Sequence, residues 1–385
     1  MNIDLPYHQP LIEDEEIDEV VETLKSGWLT TGPRTLKFEE AFRDYIGCCH
    51  AIGLNSCVAG LHLALAAKGF MVNDEVITTT MTFPATANAI IHAGLRPVFV
   101  DVEKGTLNIN VSRIEEKITP RTRAIVPVHI AGHPCDMDPI MELASKNQLT
   151  IIEDAAHALE TKYKDRKIGN LGNPTSFSFY ANKNITTGEG GMLAINDDSL
   201  DDKIRIMRLH GISRDAWKRY GKSGFAHWEL HSPGFKYNMT DINSALGIHQ
   251  LKKVDRFLEL RKKYASLYDL AFSQIPELET LETREYAEPS HHLYIISLQL
   301  EQLTVSRDEF IDAIQSIGIG VAVHYKGLHL QPYYRKEYGI LQEGFAVATH
   351  YSERVISLPL YPRMSIGDVE RVIGVLTDLI VRYRR

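Results

Sequence analysis

The feature that most constrains this chain is a recurrence of short β-rich runs separated by helical patterns. The runs are EVITT (75–79), PVFVD (97–101), RAIVPVH (123–129), LTIIED (149–154) and TSFSFY (175–180). Apolar residues at helical spacing lie between several of them, at 85–93 and 138–146. Strands this short, spaced by helices of about ten residues, predict a mostly parallel sheet flanked by helices. LTIIED is apolar enough for a strand covered on both faces.

The flanking segments extend this reading. Ile17, Val20, Val21 and Leu24 recur at helical spacing behind an acidic first turn, and Gly27 stops the pattern. SGWLTTGPRT (26–35) reads as a loop, and LNSCVAGLHLALAAKG (54–69) as a tight turn followed by a helix. A helical stretch is predicted from about Asp241 to Ser273. After Pro276 the texture changes: LYIISLQL (293–300), a helix over 306–316, GIGVAVHY (318–325) and a helix over 366–383 predict a smaller α+β unit. A length of 385 residues suits two unequal domains, 1–250 and 251–385.

Composition is ordinary for a globular chain, with 44% apolar and 24% charged residues. A net charge of −8 argues against a general nucleic-acid binder, which needs a basic surface. The acidic N-terminus has no apolar signal region, and no run approaches a membrane span, so a cytoplasmic protein is expected. Cys48, Cys49, Cys57 and Cys135 match neither a disulfide framework nor a zinc site.

In a parallel α/β sheet, ligands sit at the carboxyl ends of the strands. Asp154 ends LTIIED, and Lys183 follows TSFSFY within SFSFYANKNITTGEGGML (176–193). Alone, Asp154 reads equally well as a helix N-cap, and His157 as a packed histidine. Together, a buried acid after one strand and a lysine after the next match what pyridoxal phosphate requires. The lysine forms a Schiff base, and the acid pairs with the pyridine nitrogen. Desolvation lowers such a lysine's pKa and makes it a usable nucleophile and base. NSC (55–57) opens the helix near Val58, where free N–H groups and the helix dipole favour a phosphate, although Ser56 is also a plain N-cap. Phe83 follows a strand and can stack on a planar ring or fill a core.

EDAAHA (153–158), FSFYANKNITTGEGGM (177–192), PVHIAGHPCDMD (127–138), SGWLTTGP (26–33), GFKYNMTDINSALG (234–247) and GIGVAVHYKGLHLQPYYR (318–335) resemble the DegT/StrS-type nucleotide-sugar aminotransferases. The resemblance covers nearly the whole chain. It implies the aspartate-aminotransferase fold (fold type I) and pyridoxal 5'-phosphate as cofactor. By the same resemblance Lys183 is the Schiff-base lysine and Asp154 the partner of the pyridine nitrogen. His157 lies near the 3-hydroxyl, Phe83 stacks on the ring, and Ser56, Cys57, Val58 and Ser178 serve the phosphate. Asn238 reaches the phosphate of a neighbouring subunit's cofactor, which implies a homodimer with shared sites. Thr31, His324 and His329 match positions on the substrate side. Two departures stand out: Val58 replaces the usual threonine, whose hydroxyl supports the phosphate, and Tyr180 stands where many relatives have histidine.

The resemblance implies a ping-pong transfer of an amino group from L-glutamate to a keto group of a nucleotide-linked sugar. HGISRDAW, SPGFKYNMTDIN and LHLQPYYR are most similar to enzymes acting at C4 of UDP-linked 4-keto sugars, such as those serving lipid A. A sugar dehydratase of the same fold carries histidine in place of Lys183. Amination at C3 and a non-catalytic sensor of sugar or cofactor are the other readings. Membrane and nucleic-acid partners are not expected.

Overall fold

The computed structural model describes residues 3–213 and 229–385. At its centre the strand Glu75–Thr79 is buried at every position. It pairs in parallel with Arg96–Val100 on one side and Thr122–Val126 on the other. Thr150–Ile151 extends this parallel sheet beyond Thr122–Val126.

The segment 149–154, expected as one strand, is divided between two sheets. Thr150–Ile151 pairs with Thr122–Val126, whereas Glu153–Asp154 pairs in parallel with Thr175–Ser178. The second sheet continues through Gly191–Ile195 to His50–Leu54, both steps antiparallel. Asp154 sits at the junction. Its N–H donates to Pro127 O at 2.9 Å, and the next N–H, of Ala155, donates to Ser176 O at 2.9 Å. Bonding to both sides fixes the backbone that carries this acid.

The run expected as a strand over 175–180 stops at Ser178, because Lys183 N–H turns back onto Tyr180 O at 2.9 Å. Phe177 and Phe179, both fully buried, anchor this sheet edge against Phe38 and Phe42 of the helix Pro33–Ile46. Burying one such ring contributes roughly 1.5–3 kcal/mol.

The helix expected from Asp241 to Ser273 is two helices, Asp241–Lys252 and Val254–Phe272. They meet at Lys253, whose ammonium lies 2.7, 3.0 and 2.8 Å from Glu13, Glu15 and Glu16. The helix Asp14–Ser26 packs on Asp241–Lys252 through Glu16, which accepts from Gln250 Nε2 at 2.9 Å. Its apolar residues turn the other way: Ile17 is 52% and Leu24 53% exposed.

The helix Val254–Phe272 carries the chain between two cores. Val254 and Phe257 belong to the core around the two sheets. Tyr264, Tyr268 and Phe272 pack into a C-terminal core. That core lies on an antiparallel sheet of Leu278–Thr280, Tyr294–Leu298 and Val355–Leu358 and the helices Arg307–Ser316 and Ile366–Tyr383. Leu5 also joins it from the N-terminus. GIGVAVHY (318–325) forms single bridges to Leu5 and Ser357 and no continuous strand. Among the described residues no helix is long and apolar enough to cross a membrane.

Candidate active site

A cavity of about 590 Å³ opens where the parallel strands end and the helix Cys57–Ala67 begins. It brings together Ser56, Cys57, Val58, Phe83, Asp154, His157, Ser178, Lys183 and His324, all singled out from the sequence. Thr82, Thr86, Asn182 and Tyr325 line it as well. These were not anticipated. Thr82 precedes the helix Pro84–His92 and Thr86 lies in its first turn, with the two hydroxyls 2.8 Å apart.

Lys183 lies on the loop between Thr175–Ser178 and Gly191–Ile195. The loop closes through Phe179 N–H to Gly190 O at 2.9 Å and Thr187 N–H to Phe179 O at 3.0 Å, and Gly188 takes a left-handed turn (φ +79°). Gly191 is required for a different reason. A Cβ there would meet Ser56 C at 2.4 Å and Cys57 N at 2.5 Å, so only glycine lets the helix start rest on the strand. The lysine keeps part of its side chain open to the cavity, while its amine is surrounded by protein. That desolvation lowers its pKa to about 8, against the opposing pull of Cys57 and Asp154.

Asp154 is 5% exposed. Burial raises its pKa, opposed by hydrogen bonds from Thr86 and from Ala156 N–H and by the charge of Lys183. Thr86 Oγ1 donates to Oδ2 at 2.7 Å, and Ala156 N–H donates to Oδ1 at 3.1 Å. The N-cap reading of Asp154 does not hold, because its carboxylate lines the cavity and caps no helix. His157 accepts from Ala131 N–H through Nδ1 at 3.2 Å, so in the neutral ring Nε2 carries the proton. Burial, then the charges of Lys183 and His324, hold its pKa well below the usual value. Tyr325 Oη is 3.3 Å from that Nε2.

At the helix start, Ser56 Oγ accepts from Ala59 N–H at 3.1 Å. Ser56 is thus an N-cap, and Ala59's N–H is used internally. Cys57 and Val58 N–H have no intrahelical acceptor and face the cavity end. Ser178 lines the same end, and Phe83, 60% exposed, lines the opening.

Three expected residues are not brought into the cavity. His329 is fully buried, with Nδ1 2.5 Å from Thr80 Oγ1, Nε2 2.9 Å from Thr349 Oγ1 and its ring stacked on Phe345. Both nitrogens are occupied, so a substrate contact from His329 is not available here. Asn238 Nδ2 donates to Thr31 Oγ1 at 2.6 Å, and Thr31 Oγ1 donates to Met239 O at 2.5 Å. Neither Thr31 nor Asn238 lines the cavity of its own chain. Of HGISRDAW (210–217), residues 214–217 lie outside the described residues.

These residues fit pyridoxal phosphate. A desolvated amine and a buried carboxylate line one cavity and interact electrostatically, and two N–H groups at a helix start without intrahelical acceptors offer an anion site. Comparison with known proteins agrees. The profile of the DegT/DnrJ/EryC1/StrS aminotransferase family matches residues 10–377. The chain is 50% identical over 380 residues to "Uncharacterized protein MJ1066" of Methanocaldococcus jannaschii, spanning 99% of this chain and 98% of that one. It is 48% identical over 377 residues to the spore coat polysaccharide biosynthesis protein SpsC of Bacillus subtilis, spanning 98% and 97%. Helicobacter pylori PseC, an aminotransferase involved in the biosynthesis of pseudoaminic acid, matches the fold at a TM-score of 0.92, with 30% identity over 98% of this chain and 100% of that one. The putative sugar aminotransferase Spr1654 from Streptococcus pneumoniae in its PMP-form matches at 0.88, with 33% identity over 97% and 98%, and its PLP-form matches at 0.88 over 96% and 97%. With both its profile and its site in agreement, the chain belongs to the DegT/DnrJ/EryC1/StrS aminotransferase family.

Proposed function

We propose that this sugar aminotransferase moves an amino group from L-glutamate to the C4 keto group of a nucleotide-linked sugar, for surface polysaccharide or lipopolysaccharide synthesis. The observation that carries the chemistry is Lys183, a desolvated amine that lines one cavity with Asp154. Bound pyridoxal phosphate supplies an electron sink for the pair left when the donor's Cα–H bond breaks. Lys183 takes that proton and returns it, because an amine with a pKa of about 8 exchanges protons readily near neutral pH. Asp154, held by Thr86 and Ala156, keeps a negative charge where a cationic ring nitrogen would sit. His157, with its proton on Nε2, would hold the ring's oxygen, and Cys57 and Val58 N–H with Ser178 would hold the phosphate. The presence of Lys183 weighs against the dehydratase reading, which replaces it with histidine. SpsC and PseC, both named for polysaccharide or sugar biosynthesis, favour a sugar acceptor.

The working unit we propose is a homodimer. The paired Asn238 and Thr31 do not line the cavity of their own chain, and Ile17, Val21 and Leu24 leave an apolar helix face uncovered. The reading is tested by incubating purified protein with glutamate and a panel of UDP- and dTDP-linked 3- and 4-keto sugars. Aminated sugar and 2-oxoglutarate should form in equal amounts, with a 4-keto sugar preferred. The yellow protein should be fixed by borohydride on Lys183. A colourless protein that stays inactive after adding pyridoxal phosphate sinks the proposal.

A further inference from the structure

Behind His157 and Lys183 a line of buried polar groups runs from the cavity to the helix Val254–Phe272. Arg261, on that helix, is 2% exposed. Its Nη2 pairs with Glu160 Oε1, its Nε donates to Ser290 O at 3.2 Å, and its Nη1 to Asn184 O at 3.5 Å. The second oxygen of Glu160 accepts from Asn184 Nδ2 at 2.5 Å. Asn184 Oδ1 lies 2.8 Å from His292 Nδ1. The His292 ring then rests 4.4 Å from that of His157, tilted by 35°. Ser290 closes the circuit by donating its hydroxyl to His157 O at 2.7 Å.

Elementary donor and acceptor rules propagate along this line. An ionised carboxylate only accepts, so the Asn184 amide must turn its NH₂ toward Glu160. Its oxygen is then committed to His292, and His292 Nδ1 must carry the proton. Burial raises Glu160's pKa, and the Arg261 guanidinium and the Asn184 amide, both bonded to the carboxylate, oppose that rise and favour its charged form. His292 is neutral, because burial dominates and His157, Lys183, His324 and His8 add to it. A buried ion pair gains little net stability over its desolvation. What the Arg261–Glu160 pair does fix is the orientation of one amide and, through it, one tautomer.

We propose that His292 is a positioning residue of the transamination site: Arg261, Glu160 and Asn184 hold it as the Nδ1–H tautomer, and its ring braces His157 while Asn184 fixes the loop of Lys183. This rests on the aminotransferase reading given above. His292 bears on the reaction only through His157 and the loop of Lys183, and it does not itself line the cavity.

The test compares His292→Leu, which deletes the donor, with His292→Asn, whose amide nitrogen can replace Nδ1–H. Four quantities are read on the cofactor-loaded protein: thermal midpoint, cofactor content, kcat and KM for glutamate, and the pH midpoint of the cofactor's visible absorption. The titratable groups facing that midpoint are Lys183, Cys57, Asp154, His157, Tyr325, His324 and His8. His292→Leu should lower kcat by about tenfold or more, with KM within about twofold, and should displace the absorption midpoint. His292→Asn should recover most of both. The proposal is overturned if a folded, loaded His292→Leu keeps the wild-type kcat and midpoint, or if His292→Asn is as impaired as His292→Leu. If His292→Leu fails to fold, His292→Gln, which keeps volume but not the Nδ1 donor, takes its place under the same criteria. If neither folds, the role is purely structural and the proposal falls. Absence of turnover in the wild type counts against the proposed function alone, because the absorption midpoint of loaded protein still reports on His292.

Discussion

Thr86 donates its hydroxyl to Asp154 Oδ2 at 2.7 Å, and Thr82 Oγ1 lies 2.8 Å behind that hydroxyl. The acid is thus oriented from a different strand–helix unit than its own. Thr86→Val keeps the shape and removes the donor. A lost hydrogen bond to a charged group costs roughly 1.5–3 kcal/mol. Cofactor retention should weaken by about tenfold or more, as measured by equilibrium dialysis. The cofactor-free protein carries a second signature. Asp154's folded pKa is raised above 3.8, so its contribution to stability is present at low pH and is lost as pH rises above 3.8 toward the folded pKa. Removing Thr86's bond raises that pKa further, so Thr86→Val should extend this loss to higher pH in denaturant titrations.

Lys183 gives a direct pH prediction. In cofactor-free protein its amine should react with formaldehyde and cyanoborohydride with a midpoint of about 8. Exposed lysines should show midpoints near ~10.4. The folded pKa lies below the unfolded value of 10.5, so this group's contribution to stability rises with pH from about 8 to 10.5. Lys183→Met should remove that rise. A midpoint near that of surface lysines would show that the amine is not desolvated.

Val58 lines the cavity at the second position of the helix Cys57–Ala67. Its backbone N–H is available to a phosphate, but its side chain offers no donor. Val58→Thr adds one hydrogen bond to a charged group, worth roughly 1.5–3 kcal/mol at most. Cofactor dissociation should slow, and the order of preference among keto sugars should stay the same. Faster dissociation, or a changed sugar preference, would mean that position 58 does not face the phosphate.

The proposed dimer makes a complementation prediction. Lys183→Ala and Asn238→Ala subunits are each expected to be inactive or strongly impaired, because each damages a different part of a shared site. After subunit exchange, hybrids should regain activity through one intact composite site. Exchange verified by mass, with no recovery of activity, would show that Asn238 serves its own chain.

Much of the fold was decided locally and could be read in the sequence. The run EVITT, the helix over 366–383 and the stop at Gly27 follow from apolar periodicity and capping, which act over a few residues. Asp154 and Lys183 were legible for the same reason. Each follows a recognisable strand run, and ligands in such sheets gather where strands end. What local pattern could not decide was which neighbours those residues meet. The apolar stripe of Ile17, Val21 and Leu24 predicted a helix correctly, but only packing determined that Glu16 faces the interior and the stripe faces out. His329 lies in a motif that pointed to the substrate side, yet Thr80 and Thr349 enclose it. Arg261 and Glu160 are 101 positions apart, and Asn184 and His292 are 108 apart. No periodicity spans such distances. Their contacts exist because burial in the assembled core excludes water and leaves these polar groups only one another to satisfy them.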